Sequence, residues 1–407
     1  MAGFHAFPGG SARAGETPEQ TAVRELEEET GVQVGSDALT PIGHWVTPPF
    51  AAVRFDTRFF LAELPSGKEA RVVPGELESG EWITPDAALS RWDLGEVLIA
   101  PPILHLLRVA ALNDVSDWPA AATAIPEANG GEVTRIEFTP AVVVCPLRAP
   151  TLPPATHVNC YVIGLGTPVI LDPGSPEEGE QRTLDRLLET LASEGRRPSR
   201  IVITHHHVDH VAGVNHLAAR LAVPVAAHPR TRELLAGAVN VDETLTEGQL
   251  LPTGASAPLQ VLFTPGHAQG HVALVQERTG ALFSGDLILG MGTTVIDPPD
   301  GDLADYLVSL ERLAGMPLKA LFPGHGPVLA DTLARVREYI AHRKEREGQV
   351  VAALRAGDTT PEAIVRRVYA DVPVALHPFA ARSVLAHLLL LEKQGRARVA
   401  EGTWRLL

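Results

Sequence analysis

The stretch "THHHVDHVAG", residues 204–213, places four histidines and one aspartate between positions 205 and 210, directly after the apolar run Ile201-Val202-Ile203. A strand that feeds straight into imidazoles and a carboxylate narrows the choice of fold. The carboxyl edge of a sheet is where an α/β architecture presents its chemistry. Within the pattern H-x-H-x-D-H, His205 and His207 extend the strand direction two residues apart and can face one centre. Asp209 and His210, at the start of the next helix, can face a second. The spacing predicts two metals.

Three further candidate ligands each close an apolar run: His267 in "VLFTPGHAQGH", Asp286 in "ALFSGD" and His325 in "ALFPGHG". A lone histidine is ordinarily a surface or satisfied core residue, and His206, His216, His228, His271 and His342 are read that way. The seven residues that recur at strand ends are read as ligands.

With 407 residues, 45% of them hydrophobic, the chain can bury more than one core, and two or three domains are expected. A net charge of −15 argues against whole-surface attraction to nucleic acid or an anionic membrane. The two cysteines, Cys145 and Cys160, sit in apolar stretches and read as buried thiols of a reducing compartment. The segment "MAGFHAFPGGSARAGE" lacks a basic n-region and an apolar h-region, and no run reaches the ~18 apolar residues of a membrane helix. The expectation is a soluble cytoplasmic protein with no membrane partner.

Composition divides the chain into a first domain over 1–112, a Pro-, Ala- and Gly-rich linker over 113–132 ("DVSDWPAAATAIPEANGG"), an α/β domain over 133–342 and a tail over 343–407. In the α/β segment, runs such as "AVVVC", "NCYVIGL" and "PVILDPG" alternate with helical stretches such as "EEGEQRTLDRLLETLASEG". The tail carries helical patterns over Glu345–Arg355, Thr360–Tyr369 and Pro378–Gln394, then two short strands about Glu401-Gly402, the order of a winged helix.

Residues 10–32, "GSARAGETPEQTAVRELEEETGV", predict a helix from Pro18 to about Thr30. Thr17 is the cap, Gln20 its capping-box partner and Gly31 the stop. Glu25, Glu28 and Glu29 fall on one face of that helix, where three like charges repel unless a cation sits among them. The spacing of Gly10, Glu16, Arg24-Glu25-Leu26, Glu28-Glu29 and Gly31-Val32 resembles the Nudix box. That resemblance implies a Nudix hydrolase domain in which Glu25, Glu28 and Glu29 hold Mg²⁺ to cleave a diphosphate; the "PGG" loop and "APPILHLL" are similar to the coenzyme A diphosphatase branch. Nudix domains carry several strands before the box, and this chain has nine residues there. A decayed domain and a start assigned to an internal Met both explain this. The second is the expectation, with "MAGFHAFPGG" the middle of a strand and loop, and no Nudix catalysis is assigned.

The middle segment, with "HVNCYVIG", "VILDPGSP" and the seven ligands, resembles the metallo-β-lactamase superfamily. The resemblance implies an αββα sandwich, preceded by a partial Nudix α/β/α domain and followed by a winged helix. It also implies two Zn²⁺ ions: His205, His207 and His267 on one, Asp209, His210 and His325 on the other, and Asp286 between them. Imidazole and carboxylate suit Zn²⁺, and two cations ~3.5–4 Å apart hold a hydroxide whose parent water has a pKa near ~7. Asp209 and Asp286 are the catalytic residues of this reading.

Asp286 and His210 argue against the antibiotic-hydrolysing branch with a Cys ligand, and His207 stands where diiron flavoproteins use Glu. The order "FSGDLILGMGTTVIDPPDGDLADYLVSLERL", "LFPGHGPV", "YIAHRKERE" and winged helix, over roughly 133–407, resembles the lactamase-beta-2-like branch. Its members include a single-strand-specific endoribonuclease, so cleavage of RNA phosphodiesters is implied. Residues 343–407 hold eleven Lys or Arg against seven Asp or Glu, a balance of +4 that leaves −19 on the rest and puts positive charge where nucleic acid would be held. Winged helices also serve as packing or dimerisation modules, which keeps a homodimer open. The alternatives are a glyoxalase II-type thioesterase or lactonase, acting on a small ester such as acyl-coenzyme A or acyl-glutathione, and a nucleic-acid-binding regulator with a vestigial catalytic domain. The intact ligand set opposes the last.

Overall fold

Residues 3–51, 54–74, 77, 79–370, 372–374 and 377–407 are described by a computed structural model of the chain. They divide into two units, 3–143 and 144–407. The first opens with β1 (Phe4–His5) and α1 (Pro18–Thr30). The expected capping box is present: Thr17 Oγ1 accepts from the Gln20 amide, and the Gln20 side chain accepts from the Thr17 amide. Gly31 closes the helix at φ 70°, a conformation a side chain would strain. β2 (Thr40–Val46) and β3 (Asp56–Leu61) pair antiparallel, and after α2 (Pro85–Asp93) comes β4 (Leu98–Ile99), parallel to β1. "MAGFHAFPGG" thus includes a strand and a loop as expected, with Met1 and Ala2 outside the described residues. α3 (Pro101–Leu112) packs Ile103, Leu104 and Leu107 with Trp92 in the core of this unit.

The stretch expected to be a linker is folded. α4 (Trp118–Ala122) and β5 (Asn129–Glu132) lie within 113–132, and β5 adds to β2 in parallel. Ala122 and Ala128 are buried with Ile42, Trp45 and Leu106. Small side chains let this segment approach the Trp45 ring closely, so packing overrides its weak helical pattern. β6 (Ile136–Thr139) follows, and Phe138 O accepts from Trp92 Nε1 at 3.0 Å.

The second unit is built on two sheets. Into the first go β7 (Val142–Arg148), β8 (His157–Ile163) and β9 (Val169–Leu171), then, after α5 (Glu178–Ser193), β10 (Arg200–Val202). α6 (Val208–Val211) and α7 (Val214–Leu221) lead to β11 (Val225–Ala227), and α8 (Pro229–Leu234) to β12 (Glu243–Thr244). The strand order is β12-β11-β10-β9-β8-β7, and β9 to β12 are parallel. The second sheet runs β13 (Leu250–Thr253), β14 (Ser256–Phe263), β15 (Val272–Gln276), β16 (Ala281–Gly285) and, after α9 (Leu303–Ala314), β17 (Ala320–Pro323). β14 and β16 both oppose β15, so β14, β16 and β17 point the same way. Tyr161 of β8 meets Phe283 and Phe322 edge-on at 5.4 and 5.9 Å, joining the two sheets face to face. Cys145 and Cys160 are buried free thiols, and among the described residues no helix is long and apolar enough to cross a membrane.

The boundary expected at 342/343 falls inside one helix, α10 (Thr332–Arg355). Its first half packs Val336 and Tyr339 against the second sheet and α9, and its last turns bury Val350, Val351 and Leu354 in the C-terminal core. A helix shared by two cores has no boundary to show in composition. α11 (Pro361–Val368), α12 (His377–Lys393) and the hairpin β18 (Ala397–Ala400) and β19 (Thr403–Leu406) complete the expected helix-and-wing order. Glu401 and Gly402 make the turn with φ 50° and 74°.

Tyr339 ties α10 to the loop after β16: its hydroxyl accepts from the Leu289 amide at 3.0 Å and donates to Gly292 O at 3.1 Å. Tyr339→Phe leaves that amide unpaired. It is expected to cost about 1 kcal/mol, read as a lower urea midpoint with unchanged slope; an unchanged midpoint would show that the tie carries no stability.

Candidate metal centre

The parallel strands deliver their side chains to one edge. Asp172 follows β9, His205 and His207 follow β10, His267 follows β14, Asp286 follows β16 and His325 follows β17. Asp209 and His210 lie on the short α6 that leaves the β10 loop. Close approach here excludes side chains: a Cβ on Gly324 would lie 2.4 Å from Asp286 Oδ1 and 2.8 Å from the His210 ring.

All seven predicted residues are brought together. Ligand atoms of His205, His207 and His267 lie within 4.8 Å of one another, as do those of Asp209, His210 and His325, and of His205, His210 and Asp286. His207 Nδ1 is 3.0 Å from both His205 Nε2 and His267 Nε2. Asp286 Oδ1 lies 3.3 Å from His210 Nε2 and 3.4 Å from His325 Nε2, whereas Oδ2 is 3.8 Å from His267 Nε2. One carboxylate therefore addresses both triads.

Hydrogen bonds on the far side of each ring select the inward nitrogen. His267 Nδ1 donates to Val295 O at 2.8 Å and His325 Nδ1 to His157 O at 2.7 Å, which leaves a lone pair on each Nε2. Asp172 accepts from the Thr204 amide at 2.8 Å, from the Thr204 hydroxyl at 2.7 Å and from His210 Nδ1 at 2.8 Å. With its proton given to Asp172, the Thr204 hydroxyl accepts from His205 Nδ1 at 2.9 Å. His207 is the exception: Asp300 Oδ2 takes its Nε2 proton at 3.1 Å, so Nδ1 faces the centre.

His210 Nε2, His325 Nε2 and Asp286 Oδ1 are buried and lack hydrogen-bond partners. Three orphaned donor atoms around one point, and three imidazole lone pairs converging on another, fit divalent cations of the borderline class that nitrogen and carboxylate oxygen bind.

Burial opposes charge on Asp209, yet the hydrogen bond from His325 and the nearby His210 hold its pKa at about 2. Burial likewise opposes a proton on His325, but Asp286 and Asp209 raise it to about 10. Burial, reinforced by His207, pushes His267 down to about 4. A cation entering beside Asp209, His210 and His325 must displace protons from the imidazoles, so affinity there falls with acid.

Several contributors escaped the sequence reading. Asp172 stands in the "VILDPGSP" segment and was assigned no role. His271, read as an ordinary histidine, is fully buried; its Nε2 accepts from the Asp286 amide at 3.2 Å. Asp300, assigned no role, and His206, read as an ordinary histidine, meet at 3.5 Å. An aspartate closing an apolar run, as at Asp172, was the one available signal.

The first unit holds the Nudix-like helix, but its carboxylates are already engaged. Arg24 Nη1 donates to Glu25 at 2.7 Å and to Glu28 at 3.1 Å, Arg13 reaches Glu28 at 3.0 Å, and the Gly9 amide donates to Glu29 at 2.9 Å. The cation among these charges is a guanidinium. Among the described residues, Glu25, Glu28 and Glu29 do not form a group of three converging ligands.

Residues 153–325 match the family described as Metallo-beta-lactamase superfamily, 360–404 the Beta-lactamase associated winged helix domain and 2–103 the NUDIX domain. A Caenorhabditis elegans protein, Beta-lactamase-like protein 2 homolog, is 34% identical over 58% of this chain and 79% of its own length. The chain belongs to the metallo-beta-lactamase superfamily. An Aspergillus chevalieri relative, Atrochrysone carboxyl ACP thioesterase, is 30% identical over 54% of this chain and 72% of its own length. A beta-lactamase domain protein from Burkholderia ambifaria has the same fold, with TM-score 0.60 and 22% identity over 67% of this chain and 93% of that one. This superfamily member is a hydrolase, and its fold implies a divalent metal.

Asp300→Asn tests how the first triad is set. The Gln269 amide donates to Asp300 Oδ1 at 3.3 Å, so an asparagine that keeps its oxygen on that amide turns its NH₂ to His207 Nε2, which favours the Nδ1–H tautomer and removes the inward lone pair. Metal affinity is expected to fall about 10- to 100-fold in competition with a chromogenic chelator. Wild-type affinity would show that Asp300 has no part in setting His207.

Proposed function

We propose that this chain is a dinuclear zinc hydrolase. His205, His207 and His267 hold one ion, Asp209, His210 and His325 the other, and Asp286 is shared between them. The observation that carries the reading is Asp286, whose two oxygens face different triads across less than 4 Å. When bound, two such ions supply a water activated at neutral pH and polarise the oxygen of the scissile group.

The chain's own residues provide orientation. The His271 ring accepts the Asp286 amide proton, and the Thr294 hydroxyl donates to Asp286 O at 2.9 Å, so the shared carboxylate is gripped at both ends of its backbone. With a pKa of about 2, Asp209 is a poor store for a proton at neutral pH; it positions the attacking water. On the Nudix-like helix, Mg²⁺ would have to displace Arg24, and no step is assigned there.

The favoured substrate is an acyl thioester. The Aspergillus chevalieri relative carries a thioesterase name, and several cations of the winged helix are already spent on neighbouring acids. Arg367 pairs with Asp358, Arg382 with Asp297, Lys393 with Asp302 and Arg396 with Glu347. Single-stranded RNA is the second reading, favoured by the 34% identity to a Beta-lactamase-like protein 2 homolog together with the winged-helix match.

A paired assay of zinc-loaded wild type and Asp286→Ala, against acetyl-coenzyme A and a single-stranded RNA, separates these readings. Thioester hydrolysis that falls more than about 100-fold in the variant is expected, since losing a shared ligand should exceed the 10- to 100-fold effect of losing an outer partner. RNA cleavage without thioester hydrolysis would replace the substrate, and activity untouched by the variant would remove the centre from the reaction.

A further inference from the structure

α10 and α12 meet over four basic side chains: His342, Arg343 and Arg346 from α10 and His387 from α12. Arg343 is 3% exposed and His387 1%. The Arg343 guanidinium lies 5.2 Å from the centre of the Tyr306 ring and gives one Nη2 bond to Thr294 O, but its buried Nε–H has no acceptor. His342 Nε2 faces Arg346 Nε at 3.5 Å, which leaves the proton on His342 Nδ1, again buried and without an acceptor. Both nitrogens of His387 lack partners.

Among the described residues no carboxylate pairs directly with Arg343; Glu345 and Glu338 act on His342 through their charge, and Arg346 is engaged by Gln349 and the Val368 carbonyl. The ion pairs of α10 and α12 run through Arg335, Glu347, Arg382 and Lys393, not through Arg343 or Arg346. Burial, followed by the charges of Arg343, His342 and Arg346, pushes His387 down to about 3. A buried guanidinium without a counter-charge is expensive to fold around.

We propose that the junction of α10 and α12 is a binding site for a small anion, a single phosphate or carboxylate group. The orphaned atoms distinguish an anion from a water. Arg343 Nε, His342 Nδ1 and one nitrogen of neutral His387 are donors, and only the other His387 nitrogen accepts. A water brings two protons of its own and would leave one stranded, whereas an anion only accepts. The occupant would balance Arg343, which holds Thr294 O while the Thr294 hydroxyl holds Asp286 O. The site thus lies one residue behind the shared carboxylate.

Thermal unfolding of the full zinc-loaded chain, with potassium phosphate or potassium acetate replacing potassium chloride at constant ionic strength, tests this site. The wild-type midpoint is expected to rise saturably with one of the two anions, and the arm that responds names the group. His387→Leu keeps the volume but removes a donor, and should weaken the apparent affinity about tenfold, the worth of one charged hydrogen bond. Arg343→Met should abolish the response; if it fails to fold, His387→Leu decides alone. A wild type indifferent to both anions would overturn the site, as would a response that persists unchanged in His387→Leu.

Discussion

Asp172 decides which nitrogens two residues of the candidate metal centre, His205 and His210, present. Its carboxylate takes the His210 Nδ1 proton directly and orders His205 through the Thr204 hydroxyl. It sits at the end of β9, beside β10, so the parallel pairing of those strands is what brings it under the "THHHVDH" loop. Its own backbone is held at φ 49°, a conformation rarely adopted by residues other than glycine. The strain falls at a residue whose three hydrogen bonds define the site. Without that pairing, His205 and His210 would be free to turn either nitrogen inward, and the seven ligands would be present without being aimed.

The second sheet contributes through the loop after β16. Between Asp286 and Asp302 this loop supplies the shared carboxylate, the Val295 carbonyl that orients His267 and the Asp300 carboxylate that orients His207. It is held from outside by α10 and α12: Arg335 on Leu289 O and Gly292 O, Arg343 on Thr294 O, Arg382 on Asp297 and Lys393 on Asp302. The C-terminal helices are therefore part of how the centre is built. Of the eleven cations counted over 343–407, Arg343, Arg382 and Lys393 are engaged in that task.

The seven candidate ligands could be singled out because they either fall among residues 205–210, just after the β10 run, or, as at His267, Asp286 and His325, close an apolar run, and the structure brings them to one edge. The capping box of α1 and the winged-helix order were legible for the same reason, local spacing. What the pattern could not show depends on partners far along the chain. Asp300 matters through a contact 93 residues away, and His271 through an amide 15 residues away. The stretch 113–132 looks unstructured because its alanines carry no periodicity of their own; Trp45 and Leu106 organise it. The shared face of Glu25, Glu28 and Glu29 was legible, but that Arg24 turns back onto Glu25 and Glu28 depends on a rotamer.

Two ions per chain, related by one shared carboxylate, are the centre of this account. The most direct test is elemental analysis of the full-length protein after zinc loading and removal of excess metal, for wild type beside His325→Ala. Two equivalents of zinc in the wild type and about one in the variant are predicted, since His325 serves only the Asp209 and His210 triad. A wild type that retains one equivalent or none would contradict the account.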